Sequence, residues 1–382
     1  MNAPLDGLII LDLTHVLAGP YASMTLADLG ARVIKVERPG LGDDTRAFPP
    51  FKGSESAYFA TINHGKESIA LDLKNVDDRL VFEELLSRSD VILENYRPGV
   101  MERLGFGWED LHTKYPKLIY GAVSGFGHSG PDSQRPAYDM VVQARGGVMS
   151  ITGERDREPV RVGASIGDIA AGMFLAQGIL AALLHRQQTG VGQKVDIAML
   201  DCQLAMLEHA IALTTISGEA PRPSGARHPS ITPFETFHAS DGLFVIAAGN
   251  DVLFARLCEA LRLPIAGDER FATNPARCEN ARLLKRLIEA VTLEKGKQHW
   301  IDLLTEAGIP TGPIQNVAEV LKDPQIRARN MVVDVLDQAG NPAYVAAGNP
   351  IKMSALADPS TRPPAPKLDE HRQEILDWLE SS

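Results

Sequence analysis

Short apolar strands that alternate with helices constrain the fold of this chain more than any other feature. The run LIILDL at 8–13 is apolar and β-branched, and a helical segment at 21–29 separates it from a second such run at 33–36. This order is typical of a βαβ unit. Because the pattern recurs along the chain, we expect an α/β fold with a mostly parallel sheet that helices cover on both faces. Further strands are predicted at 91–95, 117–124 and 194–199, and further helices at 77–87, 168–186 and 201–216.

The composition changes after residue 216. The segment 217–233 is rich in Pro, Gly and Ser, which predicts a linker or an active-site loop. The stretch ETFHASDGLFVIAAG that follows is typical of a hairpin, and helices are predicted beyond it. We therefore expect a large domain over 1–216, a smaller α+β domain over 234–320, and a return to the large domain with a C-terminal tail over 321–382. The proline-rich part of the tail, at 357–366, is expected to be extended and to wrap over a neighbouring subunit.

Charge and cysteine content argue against several classes of partner. The 382 residues carry a net charge of −11, whereas nucleic-acid partners select basic surfaces. Three widely spaced cysteines suit neither a disulfide framework nor a zinc site. The first residues lack the features of a signal peptide, and no stretch approaches an uninterrupted apolar span of 18 residues. We expect no nucleic-acid partner, no membrane contact and a cytoplasmic location.

One motif mimics a dinucleotide-binding loop. Gly125-Phe-Gly-His-Ser-Gly130 fits G-x-G-x-x-G and follows a predicted strand. Pro131 and Pro136 come directly afterwards, so the helix that would point its N-terminus at a pyrophosphate cannot start there. We interpret the motif as a tight functional turn rather than a nicotinamide or flavin site.

A single carboxylate, that of Asp168, lies at the start of the long apolar run in GASIGDIAAGMF. Asp is favoured at helix N-caps, and an anion there gains about 1 kcal/mol from the cap and the helix dipole. Local sequence alone therefore favours a capping role. A catalytic role is compatible with it, because amides at a helix end can hold a carboxylate ionised and aimed.

Basic residues lie beyond the ends of several predicted strands. Arg38 follows the second strand, Lys74 lies in LDLK, Arg97 follows VILEN, and Arg103 comes soon after. Each alone is most simply a solvated surface charge, but their shared placement predicts a site for a phosphorylated ligand. His15 lies where the first strand ends, which is the edge at which open α/β sheets bind ligands.

Several ordered motifs together resemble the class III coenzyme A transferases, the family of formyl-CoA:oxalate CoA-transferase. The resemblance covers nearly the whole chain. It implies a Rossmann-like large domain with a smaller domain, and a homodimer whose two subunits are interlocked like chain rings. The motifs are THVLAGPYASMTLADLGARVIKVERPGLGDDTR, INHGKESIALDLK, ENYRPGVMERLG, SGFGHSGP, PAYDMVVQARGGVMSITG, VGASIGDIAAGMF and GQKVDIAMLD.

The resemblance also implies the site residues. The family nucleophile is an aspartate followed by a mostly apolar helix, which matches Asp168. Backbone N–H groups such as that of Gly167 are expected to stabilise the oxyanion. Phe48 is expected to line the acyl pocket, with a position in the core as the alternative. Contacts to CoA carry over to His15, Leu17, Ala18, Arg38, Leu71, Asp72, Lys74, Asn95, Tyr96, Arg97, Arg103 and Tyr138.

The implied chemistry is covalent exchange. An ionised Asp168 attacks the acyl-CoA carbonyl, and the reaction passes through an aspartyl mixed anhydride and an aspartyl-CoA thioester. We expect Asp168 to stay ionised near pH 7, as an ordinary aspartate does. The CoA thioester enters as a substrate, and no metal or permanently bound cofactor is needed. The expected partners are therefore acyl-CoA, a carboxylic acid and a second copy of the chain.

The choice of substrates rests on finer resemblance. The family's α-methylacyl-CoA racemases place a His-Asp pair where this chain has Tyr138-Asp139, and a phenol is a poor base at neutral pH, so racemisation is a minor alternative. Leu17 stands where the formyl-CoA enzyme has a glutamine. The segment GARHP at 225–229 resembles the acetyl-CoA:oxalate members, and Arg227 or His228 is expected to contact the acceptor. We expect acetyl-CoA as donor and oxalate as acceptor, with formyl-CoA and succinyl-CoA donors left open.

Overall fold

The computed structural model describes residues 3–337 and 339–381. Within them the chain forms two compact units. The first comprises Met1–Met149, Arg161–Ala220 and Pro324–Ser382, and the second comprises Ser150–Val160 and Pro221–Asp323. The second unit thus takes in Ser150–Val160, which the sequence analysis placed in the large domain. The backbone gives the reason, because the Gly225 N–H donates to the Gly153 carbonyl at 3.0 Å and ties this segment to the loop before the small domain.

The first unit holds a six-stranded sheet in the order β5-β2-β1-β6-β7-β8, and every neighbouring pair of strands is parallel. The predicted α/β class is therefore confirmed. Its elements in chain order are β1 (Ile9–Asp12), α1 (Ala18–Asp28), β2 (Arg32–Glu37), β3 (Phe51–Lys52), β4 (Glu55–Ser56), α2 (Ala57–Asn63), β5 (Glu67–Ala70), α3 (Val76–Ser87), β6 (Val91–Glu94), α4 (Val100–Arg103), α5 (Trp108–Lys114), β7 (Ile119–Ser124), α6 (Asp139–Arg145), α7 (Ile166–Thr189), β8 (Lys194–Ala198), α8 (Met199–Ala205) and α9 (Glu208–Ser217).

Both faces of the sheet are covered, and alternate strand residues belong to different cores. Ile10 on β1 packs in a cluster with side chains of α1 and α7, whereas its neighbour Leu11 packs in a second cluster with side chains of α3 and α5. Successive side chains of a strand point to opposite faces, so a strand between two helical layers is apolar throughout. This explains why the strands appear in the sequence as continuous apolar runs.

Helix α7 is long and apolar enough to cross a membrane by length and composition, and half of its most apolar window is buried inside the protein. The expectation that no stretch approaches an apolar span of 18 residues was therefore wrong. Residues such as Leu175 and Ile179 pack against the sheet, which accounts for much of this apolar character. Other apolar side chains of the helix remain exposed, among them Met173 and Leu184.

The second unit contains a three-stranded antiparallel sheet in the order β11-β10-β9. Its own core includes Phe237, Phe244 and Trp300. The predicted hairpin is present, and Ser240 and Asp241 connect its strands. The elements are β9 (Phe234–Ala239), β10 (Gly242–Ala247), α10 (Asp251–Ala260), α11 (Asn274–Glu279), α12 (Ala281–Thr292), α13 (Lys297–Glu306), β11 (Thr311–Pro313) and α14 (Val317–Val320).

The chain then returns to the first unit. Arg362 in the proline-rich tail forms an ion pair with Asp28, and Thr361 and Arg362 pair in parallel with the strand Val332–Leu336, so other parts of the same chain hold this segment. Further on, the tail meets the edge strand β5, where Asp369 Oδ1 accepts the Ala70 N–H at 2.7 Å and His371 Nδ1 accepts the Ser68 N–H at 3.2 Å. The last elements are α15 (Pro324–Ala328), β12 (Val332–Leu336), β13 (Pro342–Ala347), β14 (Thr361–Arg362) and α16 (Arg372–Glu380).

Candidate active site

Two neighbouring cavities open where β1, β2 and β6 end. Because parallel strands end at the same edge of a sheet, His15, Arg38 and the segment 95–97 come together there. His15, Arg38 and Tyr96 line a cavity of about 280 Å³. His15 and Tyr96 also line a second cavity of about 350 Å³, together with Asn95, Arg97 and Tyr138. Six of the predicted CoA contacts therefore line one or both of these cavities.

Reciprocal hydrogen bonds fix His15 against Asn95. The His15 N–H donates to Asn95 Oδ1 at 2.9 Å, and Asn95 Nδ2 donates to the His15 carbonyl at 2.7 Å. The imidazole meets the Tyr96 ring edge-on at 5.6 Å, and burial lowers the pKa of His15 despite the nearby charge of Asp43. His15 Nδ1 is buried and has no hydrogen-bond partner among the residues that the structure describes.

Glu94, the last residue of β6, holds the segment that carries Asn95, Tyr96 and Arg97. Its Oε2 accepts the Tyr96 N–H at 2.8 Å, and its Oε1 accepts the Tyr120 hydroxyl at 3.2 Å. Burial raises the pKa of Glu94 to about 7, even though both hydrogen bonds favour the ionised form. A carboxyl group that changes its protonation state near neutral pH thus fixes the backbone of a predicted CoA-binding segment.

The remaining predicted CoA contacts line neither cavity. Leu17 and Ala18 are buried at the start of α1, and Leu71 is buried in the core beneath the sheet. Asp72, Lys74 and Arg103 are exposed. For Leu17 and Ala18 the structure shows a different link to the site. A Cβ on Gly172 would lie 2.6 Å from the Ala18 carbonyl, so the start of α1 packs directly on α7 one turn after Asp168.

Four buried charged side chains form two ion pairs, and we call Asp12, Lys35, Asp43 and Lys66 the buried ion-pair cluster. Two of them, Lys35 and Asp43, line the first cavity. Lys66 Nζ lies 3.0 Å from Asp12 Oδ2, and Lys35 Nζ lies 2.9 Å from Asp43 Oδ2. Burial alone would raise the pKa of Asp12, but Lys66 and Lys35 outweigh it and hold that pKa below its ordinary value. Each carboxylate in this cluster therefore faces an ammonium group.

The cluster also shapes the loop that carries His15. Lys35 Nζ donates to the Thr14 carbonyl at 2.6 Å, and Asp43 Oδ1 accepts the Val16 N–H at 3.2 Å. Val16 has a φ of 66°, a left-handed conformation that a β-branched residue adopts only where its surroundings enforce it. The buried charges therefore hold the backbone on both sides of His15 in place, and this backbone forms part of the first cavity.

Asp168 lies inside helix α7 and not at its cap. The N-cap is Ser165, so Asp168 is the third helical residue, and the capping interpretation was wrong. Within the described part of the chain, its carboxylate makes no hydrogen bond or ion pair that would stabilise a charge. Burial, reinforced by the charge of Asp139, raises the pKa of Asp168 to about 7. The expectation that Asp168 stays ionised near pH 7 as an ordinary aspartate does is therefore not met, because at this pKa only about half of its carboxyl groups are ionised at pH 7.

The backbone of Gly167 is hydrogen-bonded to the side chain of Asp139 in this structure. Its N–H donates to Asp139 Oδ1 at 2.8 Å, so it is already engaged and does not stand free as the predicted oxyanion donor. A Cβ at this position would lie 2.7 Å from Val142 Cγ2 and 3.0 Å from Asp139 Oδ1. Only glycine therefore lets α6 and α7 approach closely enough for Asp139 to reach the turn that carries Asp168.

Tyr58 is a neighbour of Asp168 that sequence reasoning missed. Burial raises the pKa of Tyr58, and the charge of Asp168 raises it further. Phe48 meets the Tyr58 ring edge-on at 5.7 Å, and the Ser56 hydroxyl donates to the Phe48 carbonyl at 2.6 Å, which ties the two segments together. The predicted place of Phe48 near the acyl group is compatible with this geometry. Tyr58 lies in α2, and the pattern of apolar residues did not identify its sequence, AYFATIN, as a separate helix.

Three further predicted features can be placed. Tyr138 is 76% exposed at the rim of the second cavity. Arg227 and His228 belong to the second unit, where the His228 ring stacks on Phe234 at 5.3 Å, and their contact with the acceptor stays a prediction. Residues 3–337 and 339–381 contain no cluster of His, Cys, Asp and Glu that would hold a metal ion.

Comparison with known proteins identifies the family. The sequence model of CoA-transferase family III matches residues 5–372. Acetyl-CoA:oxalate CoA-transferase of Acetobacter aceti is 47% identical over 371 residues, which cover 97% of this chain and 94% of that protein. Succinyl-CoA:mesaconate CoA-transferase of Haloarcula hispanica is 43% identical across 98% of this chain and 96% of its own length. Succinyl-CoA:glutarate CoA-transferase of Homo sapiens is 39% identical across 98% of this chain and 85% of its own length.

The fold gives the same result. The crystal structure of a CAIB/BAIF family protein from Brucella suis matches with a TM-score of 0.88 and 39% identity, over 99% of this chain and 100% of that one. The resemblance seen in the ordered motifs is thus confirmed. The chain belongs to CoA-transferase family III, and it is a class III CoA-transferase whose substrate is a CoA thioester.

Proposed function

We propose that this enzyme moves CoA from acetyl-CoA to oxalate or a similar small carboxylate. The observation that carries the proposal is the 47% identity, over 97% of the chain, to an acetyl-CoA:oxalate CoA-transferase. Succinyl-CoA is the second candidate donor, because relatives at 43% and 39% identity are named for succinyl-CoA. Formyl-CoA is a third candidate, and racemisation of an α-methylacyl-CoA remains the minor alternative.

In the proposed mechanism Asp168 is the nucleophile. One Asp168 oxygen attacks the thioester carbonyl carbon, the new C–O bond forms, and the C–S bond breaks with its electron pair on the CoA sulfur. The thiolate then attacks the aspartyl carbonyl of this mixed anhydride, which releases acetate and leaves an aspartyl-CoA thioester. The acceptor carboxylate attacks that thioester and frees the thiolate once more. Attack of the thiolate on the acceptor's carbonyl carbon gives the new acyl-CoA and returns the Asp168 carboxylate.

The protein's part is to hold the free thiolate between these attacks. Arg38 lines the first cavity and Arg97 lines the second, and these two cations suit the phosphates of CoA. His15 lines both cavities. Anchoring CoA at a distance from its sulfur keeps the thiolate at a high effective concentration near Asp168.

A homodimer also belongs to this proposal. Helix α9 has no buried residue although its sequence, EHAIALTTIS, is largely apolar, and Ile216 is 88% exposed. Met173 and Leu184 on α7 are exposed as well. A second copy of the chain would cover such apolar surface, and light scattering that gives a monomeric mass at micromolar concentration would refute the dimer.

The test is a matrix of donors and acceptors. The enzyme is mixed with acetyl-, succinyl- or formyl-CoA and one of a panel of carboxylic acids, and new CoA thioesters are identified by mass spectrometry. We expect oxalyl-CoA from acetyl-CoA and oxalate. No new thioester with any pair would refute the transferase mechanism, whereas deuterium uptake at C2 of a branched acyl-CoA in heavy water would favour the racemase.

Asp168→Ala tests the nucleophile. We expect exchange to fall by at least about 10⁴-fold, because the covalent route is lost while the cavities that bind CoA stay intact. Calorimetry should give an unchanged affinity for CoA. The matched control is Asp110→Asn, an exposed aspartate on α5, which should keep full activity. Turnover retained by Asp168→Ala would contradict the assignment.

A further inference from the structure

Asp139, the first residue of α6, is a buried carboxylate that the proposed mechanism does not use. Its side chain is held from two sides. Oδ1 accepts the Gly167 N–H at 2.8 Å, and Oδ2 accepts Gln143 Nε2 at 2.8 Å. The orientation of the Gln143 amide is itself fixed, because its Oε1 accepts the Val162 N–H at 2.8 Å. Asp139 therefore receives N–H groups on both oxygens, as an ionised carboxylate does.

Asp168 follows Gly167 directly and has no such support. Among the residues described, no donor or cation contacts its carboxylate, and Asp139 is the charged group that acts on it. We call Asp139 and Asp168 the carboxylate pair. Two carboxylates of one buried site repel each other, and the one without hydrogen bonds bears the greater part of the cost.

We infer that Asp139 is a positioning residue that holds the Gly167-Asp168 turn of α7 and, by its charge, makes the ionised Asp168 a more basic and more reactive nucleophile. This inference rests on the proposed function of Asp168. When Asp168 attacks, its negative charge leaves the pair and ends on the CoA sulfur, so the repulsion with Asp139 is relieved as the anhydride forms. An interaction that is unfavourable in the resting enzyme and weaker in the transition state lowers the barrier.

The other groups around Asp168 do not supply this effect. Tyr58 faces it from α2, and burial keeps that phenol neutral by raising its pKa. From α8, Gln203 is uncharged, and burial raises the pKa of Cys202 to about 11. Tyr21 on α1 packs near Gly172 and is likewise held neutral by burial, which raises its pKa. The cations of the buried ion-pair cluster face Asp12 and Asp43 instead.

The test removes the charge and keeps the hydrogen bond to Gly167. Asp139→Asn retains Oδ1 as an acceptor but sets its new amide against Gln143 Nε2. The double variant Asp139→Asn/Gln143→Glu restores a donor-acceptor pair there and moves the charge away from Gly167. The readout is the pH profile of kcat/KM for the acyl-CoA donor. Asp110→Asn is the control for Asp139→Asn, because it removes one negative charge as well, whereas the double variant leaves the net charge unchanged.

In the wild type, the acid limb of this profile should have its midpoint near the pKa of Asp168, about 7, because the protonated carboxyl does not attack. In both variants the midpoint should fall by about one pH unit, and it stays above that of an ordinary aspartate because burial remains. The rate at pH 8 should fall roughly three- to tenfold, since the nucleophile is less basic. Asp110→Asn should move neither quantity.

A lower rate with an unmoved midpoint in the variants would overturn the inference and leave Asp139 a purely structural residue. Acid quenching with acetyl-CoA and mass analysis of the peptide that carries Asp168 separates this from the parent proposal. An acyl adduct with an unmoved midpoint refutes only the role of Asp139, whereas no adduct in the wild type refutes the nucleophile. If neither variant folds, the carboxyl band of the wild type is titrated by infrared spectroscopy, and the spectrum of Asp168→Asn is subtracted from it. A midpoint near 4 for the Asp168 carboxyl group would overturn the inference.

Discussion

The buried ion-pair cluster and the carboxylate pair treat buried charge in opposite ways. In the cluster, Asp12 and Asp43 each lie within about 3 Å of a lysine, and burial does not prevent their ionisation. In the pair, Asp139 lies beside a second carboxylate, and burial and repulsion raise the pKa of Asp168 to about 7. Matched charges fix the loop of His15, whereas unmatched charges lie where the proposed reaction takes place.

The difference separates structure from reactivity. A buried charge with a partner resists change, because removing either member leaves the other uncompensated. A buried charge without a partner is costly in the folded protein, and a reaction that removes it is favoured. The sign of a stability change on neutralising a side chain should therefore differ between the two places.

The largest effect is expected in the buried ion-pair cluster. Lys66→Met leaves the fully buried Asp12 without its ammonium partner, and we expect the free energy of unfolding to fall by about 3–5 kcal/mol. Urea unfolding followed by circular dichroism measures it. Lys114→Met breaks an exposed pair with Glu83 and should change stability by no more than about 0.5 kcal/mol. Equal losses of stability in Lys66→Met and Lys114→Met would show that the buried pair contributes no more than the exposed one.

A smaller effect of opposite sign is expected at the carboxylate pair. Because the pKa of Asp168 is raised from 3.8 to about 7, the folded state binds the proton more tightly, and the wild type loses stability as the pH rises through this interval. Asp168→Asn escapes that loss, so at pH 8 it should be more stable by about 1–2 kcal/mol. Urea unfolding should show the gap closing near pH 4. If Asp168→Asn were instead less stable than the wild type at pH 8, the Asp168 carboxylate would be a stabilising charge, like those of the buried ion-pair cluster.

The smallest effect should come from Glu94, a buried carboxylate outside both the buried ion-pair cluster and the carboxylate pair, with His128 Nε2 3.5 Å from its Oε1. Its pKa is raised from 4.5 to about 7, so its ionisation likewise lowers stability as the pH rises between these values. In Glu94→Gln the amide oxygen still accepts the Tyr96 N–H, and the amide nitrogen faces the Tyr120 oxygen. We expect a gain of about 1 kcal/mol at pH 8 and none at pH 4. Glu109→Gln, at an exposed position on α5, should show no such pH dependence.

The sequence predicted those features whose causes are local. The apolar runs at 8–13 and 91–95 gave strands close to β1 and β6, and Pro131 correctly excluded a helix after the glycine turn, since α6 begins only at Asp139. His15, Arg38 and Arg97 were expected at one edge because parallel strands end together. These inferences need only chain order and residue type.

The features that sequence reasoning missed depend on distant residues. Whether Asp168 caps a helix depends on where α7 begins, and that is at Ile166, before the aspartate. Its raised pKa depends on Asp139, which approaches through a hydrogen bond to Gly167 across 28 residues of chain. Lys35 lies within a strand, RVIKVE, and nothing local tells that its ammonium group is fully buried against Asp43. Such pairings are set by packing, which the pattern of one chain does not contain.

The contact between the tail and β5 has a consequence for how the protein is made. Strand β5 is an edge of the large sheet, and its outward Ser68 and Ala70 N–H groups are met by His371 and Asp369, about 300 residues later. During synthesis the ribosome exposes this edge long before the residues that close it emerge. During synthesis the edge of the sheet is therefore unpaired for some time and can pair with other chains. A stalled or truncated chain keeps this unpaired edge and is prone to aggregation.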